Sequence, residues 1–357
     1  MKKFSSQKGI SLVELMISIT IGLILMTGVV QLFLSSRATF STQQGLARVQ
    51  ETGRLAMEFL AEDIRMAGYM GCMSKNINIT NTLNQSDNVA YNFNVGIEGR
   101  DNVGATLPTG YPDDVVAGTD ILVVRSANGA GVGVTQNNNG SQLFADNSNP
   151  STTCPDDSEG PSGLCAGDIL VVADCKKARV FQAVNVKEVS NNSAEINVVH
   201  SKGGGSDFKP GNAVSSWGGN SDKDPDTKFG PDSEVIKVNT MLYYISVNPS
   251  NTPSLYRSIN GAPGQELLAG VEDMQISYGR DTDNDKVPDS YQSAATVGSA
   301  WEDVSAVRLQ LLVQSSEDNV LDEEQPYTFN GTTISDPGDR RLRQVFINTI
   351  GIRSRLP

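Results

Sequence analysis

The chain has 357 residues, with 28 Lys and Arg against 41 Asp and Glu for a formal charge of -13, and it holds a single histidine. That length allows a sizeable core in one large or two medium domains. The acidic balance, with no basic run to offset it, argues against nucleic acid as a partner, and a single imidazole removes most catalytic triads and zinc centres, which usually draw on histidine.

Met1 to Gly9 (MKKFSSQKG) is polar and contains Lys2, Lys3 and Lys8, whereas Ile10 to Leu34 is apolar apart from Glu14. As a helix, the apolar stretch reaches about 37 Å at ~1.5 Å per residue, more than the ~30 Å hydrocarbon layer of a bilayer. The lysines are expected to stay cytoplasmic, which places the rest of the chain beyond the inner membrane as a single-pass protein with a periplasmic C-terminal domain. An ordinary secretory signal carries its small-residue cleavage site after the apolar run. Here Gly9 precedes it, so a cut at Gly9 leaves the helix in place. Glu14 costs roughly 2.5 to 3.5 kcal/mol inside an apolar span and therefore calls for a partner.

The sequence Gly9-Ile10-Ser11-Leu12-Val13-Glu14 resembles the type IV prepilin signature. The resemblance implies cleavage after Gly9 by a prepilin peptidase and N-methylation of Ile10, which stands where Phe is commoner. It also implies that Glu14 is an assembly determinant, pairing with the N-terminal amine of a neighbouring subunit.

From Ser35 to about Met70 the chain stays helix-compatible. Leu46, Val49, Gly53, Ala56, Leu60, Ile64 and Ala67 recur at three- and four-residue spacing, with most charges on the opposite face. No proline interrupts the run, and Gly68 and Gly71 mark its end. The expectation is one continuous spine, with a break near Ser35-Ser36 or Gly45 as the alternative. The chain thus divides into a leader (1–9), a membrane-spanning part of the spine (10–34), an amphipathic part (35–70) and a β-rich globular domain (71–357).

Strands are expected at 120–125, 168–173, 178–189, 194–200, 235–247, 254–259, 274–278, 304–314 and 344–352, all β-branched and bounded by turns. No helical pattern alternates with them, so the class is α+β: a long N-terminal helix packed on antiparallel sheet, with long loops. Residues 126–161 and 201–232, rich in Gly, Asn, Ser, Asp and Pro, read as surface loops. Gly129-Ala-Gly131-Val-Gly133 lacks the following helix that a dinucleotide loop requires, and no cofactor is expected there. His200 follows Val198 and Val199 at a strand end and reads as structural or solvated.

Cys72, Cys154, Cys165 and Cys175 form an even set for an oxidising compartment, so two disulfides are expected among three pairings. Cys154 with Cys165, closing a Pro/Asp/Gly loop, and Cys72 with Cys175 are preferred. In Asp281-Thr-Asp283-Asn-Asp285-Lys-Val287-Pro-Asp289, carboxylates stand at positions one, three, five and nine of a turn and the Val287 carbonyl at position seven. That alternation wraps oxygen ligands around calcium. Two positions depart from it: Lys286 replaces the usual turn glycine, and Gln292 replaces the closing glutamate. A solvated acidic turn is the competing reading. Asp222, Asp224 and Asp226 form a weaker second cluster, interrupted by Pro225.

Leu267 to Gly279 (LLAGVEDMQISYG), the Asp-rich turn, the Arg-Leu-Gln-Leu-Leu-Val strand and Arg343 to Arg353 resemble the PilW family of minor pilins, as does Arg65-Met-Ala-Gly-Tyr69-Met-Gly-Cys72. The resemblance implies a non-enzymatic protein of the inner membrane and then the pilus surface. It would work with other minor pilins and the major pilin to prime or cap a type IV pilus, supporting adhesion and twitching motility. The alternatives are a J-type pseudopilin of type II secretion and a pilus-borne adhesin that uses the polar loops.

Overall fold

A single α-helix, Leu12–Met66, runs 55 residues without interruption, so neither Ser35-Ser36 nor Gly45 breaks it. This is a computed structural model that describes residues 9–71, 78–104, 106–174, 176–202, 208–214, 216–218 and 225–355. The leader up to Lys8 lies outside the described residues. Ser11 caps the helix, its hydroxyl accepting from the Glu14 amide at 3.2 Å. Along the apolar part, Ser18, Thr20 and Thr27 donate to the carbonyls of Glu14, Met16 and Leu23 at 2.7, 2.6 and 2.9 Å. Such back-bonding satisfies hydroxyls within the helix itself, which suits an environment without water. The helix stops at Ala67, whose backbone is extended, and Gly68 turns the chain with φ +72°.

The second part of the helix is a core element. Val49, Gly53, Ala56, Met57, Leu60, Ala61 and Ile64 are buried, on the stripe that the periodicity marks. Against them lies a four-stranded antiparallel sheet in the order Ser290–Gln292, Val271–Arg280, Val304–Gln314, Arg343–Gly351. The same apolar cluster takes in Leu122, Val124, Met241, Tyr243 and Ile245 from a larger sheet, so helix and both sheets share one core. Gly53 is where the helix comes closest to the strand Arg343–Gly351: a Cβ there would overlap the Phe346 ring. The Tyr243 hydroxyl donates to the Asp63 carboxylate, tying the helix to the larger sheet.

The larger sheet has eleven strands. Its centre is Glu234–Val247, paired antiparallel with Ile121–Asn139, Ile169–Ala173 and Pro253–Ile259. One edge pair, Asn78–Asn81 with Lys177–Gln182, is parallel and departs from the otherwise antiparallel expectation. The architecture is α+β.

One region expected as loop is strand. Ile121–Asn139 continues through the Gly-Ala-Gly-Val-Gly segment and pairs with Gln142–Asp146. Val132 and Val134 alternate inward, and buried Asn138 donates to the Trp217 and Thr227 carbonyls at 3.1 and 3.0 Å and accepts from the Phe229 amide at 2.9 Å. Between Asn128 and Asn139 only Val132, Val134 and Asn138 are buried, so the apolar alternation that signals a strand is thin. Residues 201–232 carry no strand among those described, as expected, and Asp222 and Asp224 lie outside the described residues.

Arg125 is fully buried yet compensated. It pairs with Glu98 at 2.5 Å and donates to the Val89 and Val95 carbonyls at 2.5 and 2.8 Å, stapling the segment after the helix onto the sheet. His200 is also fully buried, its ring stacked 3.8 Å from Trp217 with Phe181 edge-on at 5.5 Å, and neither ring nitrogen has a hydrogen-bond partner among the described residues. Burial pushes its pKa down to about 3, with the nearby Arg179 charge adding to the shift.

Two outcomes follow from this packing. Gly53→Ala gains about 1 kcal/mol of helix propensity but overpacks against Phe346, so a net loss of about 1 to 3 kcal/mol is expected by chemical unfolding in detergent, relieved in a Phe346→Leu background. A neutral His200 binds fewer protons than its unfolded counterpart between the two pKa values. Stability is therefore full above about pH 6.5 and is lost by up to about 1.4 kcal/mol per pH unit as pH falls toward the folded value. His200→Phe should flatten that slope, measured as unfolding free energy against pH.

Candidate functional site

The helix carries two kinds of surface. From Ile10 to Phe40 its large apolar side chains are exposed, among them Ile10 at 73%, Leu32 at 73% and Phe40 at 67%. The domain first grips the helix at Thr42, whose hydroxyl donates to the Val320 carbonyl at 2.9 Å, and at Gly45, where a Cβ would meet Val320 at 2.8 Å. Packing therefore begins several residues beyond Leu34, the end of the stretch expected to cross the membrane. The free segment meets the length and composition needed to cross a bilayer. Within it, Glu14 lies in the first helical turn, and its carboxylate makes no hydrogen bond or ion pair with any described residue of its own chain. A helix N-terminus favours an acid there, so the backbone accommodates Glu14 while leaving its side chain available to another molecule.

Of the two expected disulfides, Cys154–Cys165 is formed, with an S–S distance of 1.99 Å. It closes a small lobe in which Thr152–Thr153 pairs with Glu159–Gly160. Cys72 and Cys175 lie outside the described residues.

The acidic turn links the strands Val271–Arg280 and Ser290–Gln292 at the edge of the four-stranded sheet. It brings Asp281, Asp283 and Asp285 together, with one carboxylate oxygen of each lying within 4.8 Å of the others. Asp289 turns elsewhere: its Oδ2 accepts from the amide and the hydroxyl of Thr282, both at 2.7 Å, and these bonds hold its pKa below the usual carboxylate range. Asp281 Oδ2 accepts from the Lys286 amide at 3.1 Å, Asp283 Oδ1 from the Asp285 amide at 3.1 Å and Asp285 Oδ1 from the Val287 amide at 2.7 Å. Lys286 has φ +73° and takes the left-handed turn despite its side chain. Gln292, the twelfth position, pairs with Tyr278 and lines a separate cavity with Asp120 and Gln275, away from the carboxylate cluster.

Residues 242–354 match the family described as Type IV Pilus-assembly protein W, and residues 4–30 match the prokaryotic N-terminal methylation motif. This is a type IV pilus-related, pilin-like chain. No curated protein and no solved structure matches it. In this pilin-like chain the family match spans the second part of the central strand, the four-stranded sheet and the acidic turn, while the methylation motif covers most of the exposed apolar helix. The methylation motif together with an apolar helix of membrane-spanning length is the pattern of a membrane-anchored pilin.

The periodic stripe pointed to helix packing but not to Thr42 or Gly45 as the point where the domain takes hold. The partner segment, Ser315 to Val320, is polar and distant in sequence, so no local signal connects it to the helix. Removing the Cys154–Cys165 bridge as the paired Cys→Ser variant should cost about 2 to 3 kcal/mol, since it frees a short loop in the unfolded chain. Unfolding under non-reducing conditions reads that loss directly.

Proposed function

We propose that this chain is a minor pilin that assembles with other minor pilins and the major pilin to prime or cap a type IV pilus. In this reading, prepilin peptidase cuts after Gly9, Ile10 becomes N-methylated, and the helix from Ile10 to Leu34 sits in the inner membrane before entering a bundle of like helices. Lys2, Lys3 and Lys8 keep the start cytoplasmic and put the β domain in the periplasm. The role is structural, without catalysis.

One observation carries the reading. A single continuous helix is packed from Thr42 onward and bare before it, so its apolar half lacks any partner among the described residues. Lipid supplies a partner to the apolar side chains but a poor one to Glu14. A neighbouring subunit's N-terminal amine supplies opposite charge where the helix leaves the bilayer, offsetting the cost of the buried acid. Because the incoming helix must present its own acid to a subunit already in place, Glu14 argues for a neighbour above this one in the assembly.

The test replaces the chromosomal copy by Glu14→Ala and compares it with a deletion. The variant is expected to reach the membrane at normal levels, with Ile10 as its methylated first residue by mass spectrometry, while surface pili fall to the deletion level. Normal piliation in both strains overturns the proposal. Intact pili with lost protein secretion assign the chain to type II secretion instead, and intact pili with lost surface attachment assign it to adhesion.

A further inference from the structure

We propose that Asp281, Asp283 and Asp285 form a calcium site that locks the edge hairpin of the four-stranded sheet. The inference is independent of the assembly role.

The acidic residues alone would be an ordinary solvated turn. Asp281 makes the difference. It is only 2% exposed, and its Oδ1 is buried without a hydrogen-bond donor among the described residues, while its carboxylate offers an oxygen within 4.8 Å of those of Asp283 and Asp285. A buried carboxylate oxygen with no donor is costly, and two further carboxylates at that distance raise the cost. A cation between the three carboxylates removes both penalties at once. The neighbouring Arg280 does not serve, because its guanidinium pairs with Asp303 at 2.9 Å.

The donor set selects the ion. With three carboxylates and no sulfur or imidazole, the site suits a hard cation rather than zinc or copper. The turn already satisfies its own amides: Lys286, Asp285 and Val287 each donate to one of the three carboxylates, which leaves the remaining oxygens for a ligand. Lys286 occupies the left-handed position that normally demands glycine, so the departure seen in the sequence does not prevent the turn. The Val287 carbonyl and water would complete the shell. Calcium, which accepts six to eight oxygens in irregular geometry, fits such a site better than magnesium, which demands a near-ideal octahedron.

Two departures predict weak binding. Asp289 is committed to Thr282, and Gln292 faces another cavity, so the bidentate closing ligand of a high-affinity loop is missing. The affinity should fall in the range of extracellular calcium modules, about 10⁻⁴ to 10⁻³ M.

The experiment uses the full chain in detergent, stripped with chelator and titrated calorimetrically with calcium or magnesium. Wild type is expected to bind one calcium in that range, with magnesium at least about tenfold weaker, and to melt at higher temperature with calcium present. Asp283→Asn, an exposed substitution that leaves folding intact, should weaken calcium at least about tenfold and lose the thermal shift. Asp281→Asn removes the buried charge. If that variant folds, it should melt above calcium-free wild type and no longer respond to calcium. No saturable calcium binding by wild type up to about 10 mM, or equal binding by Asp283→Asn, overturns the site.

Discussion

The contact between the helix stripe from Val49 to Ile64 and the two sheets is the constraint on which the rest of the molecule depends. An amphipathic helix of this kind gains little from propensity alone, and its stability comes from the sheet that covers its apolar face. Gly53 sets how near the strand Arg343–Gly351 can come, since the Phe346 ring occupies the space its side chain would need. Once that distance is set, the four-stranded sheet takes its place against the helix stripe, and the strands Glu234–Val247 and Ile121–Asn139 complete the same core.

Polar groups then hold the layers in register. Tyr243 donates to Asp63 across the helix–sheet contact, and buried Arg125 gathers the carbonyls of Val89 and Val95 with the carboxylate of Glu98. Arg343 does similar work at the far edge, binding Glu272 at 2.7 Å and Asp339 at 2.6 Å. Each of the two arginines is a charge removed from water and met by several partners, the condition under which buried ions are tolerated. His200 follows the opposite logic: its ring nitrogens have no hydrogen-bond partner among the described residues, it stays neutral, and its ring stacks on Trp217 with Phe181 edge-on.

The division of labour along the helix connects the fold to assembly. A rigid rod transmits position from the membrane to the domain only if nothing bends it, and the absence of proline and of any break between Leu12 and Met66 meets that requirement. The domain therefore rides at a fixed height above the apolar segment, which is where neighbouring helices would meet it. The acidic turn sits at one edge of the same four-stranded sheet, and the strand Arg343–Gly351 that meets Gly53 of the helix is at the other.

Much of this was legible residue by residue. The apolar run, the lysines before it, Glu14 within it and the three- and four-residue spacing of Val49 to Ile64 are local patterns, and local patterns survive without knowledge of the fold. The strands with β-branched runs, such as Ile169–Ala173 and Val304–Gln314, were equally plain, and the Cys154–Cys165 pair closes a loop short enough to read from spacing. The strand through Gly129 to Asn139 was not, because two valines and one asparagine are all that it buries, too few for an apolar alternation to show among its glycines and amides. The same holds for Thr42 meeting Val320, for the burial of Asp281 and for the turning of Asp289 toward Thr282. By itself the sequence determined a membrane-length helix with an amphipathic continuation, because helix periodicity and hydrophobic length are written in neighbouring residues. Only the tertiary structure decided where the domain takes hold of that helix and which carboxylates converge, because burial and convergence arise between residues that are remote until the chain folds.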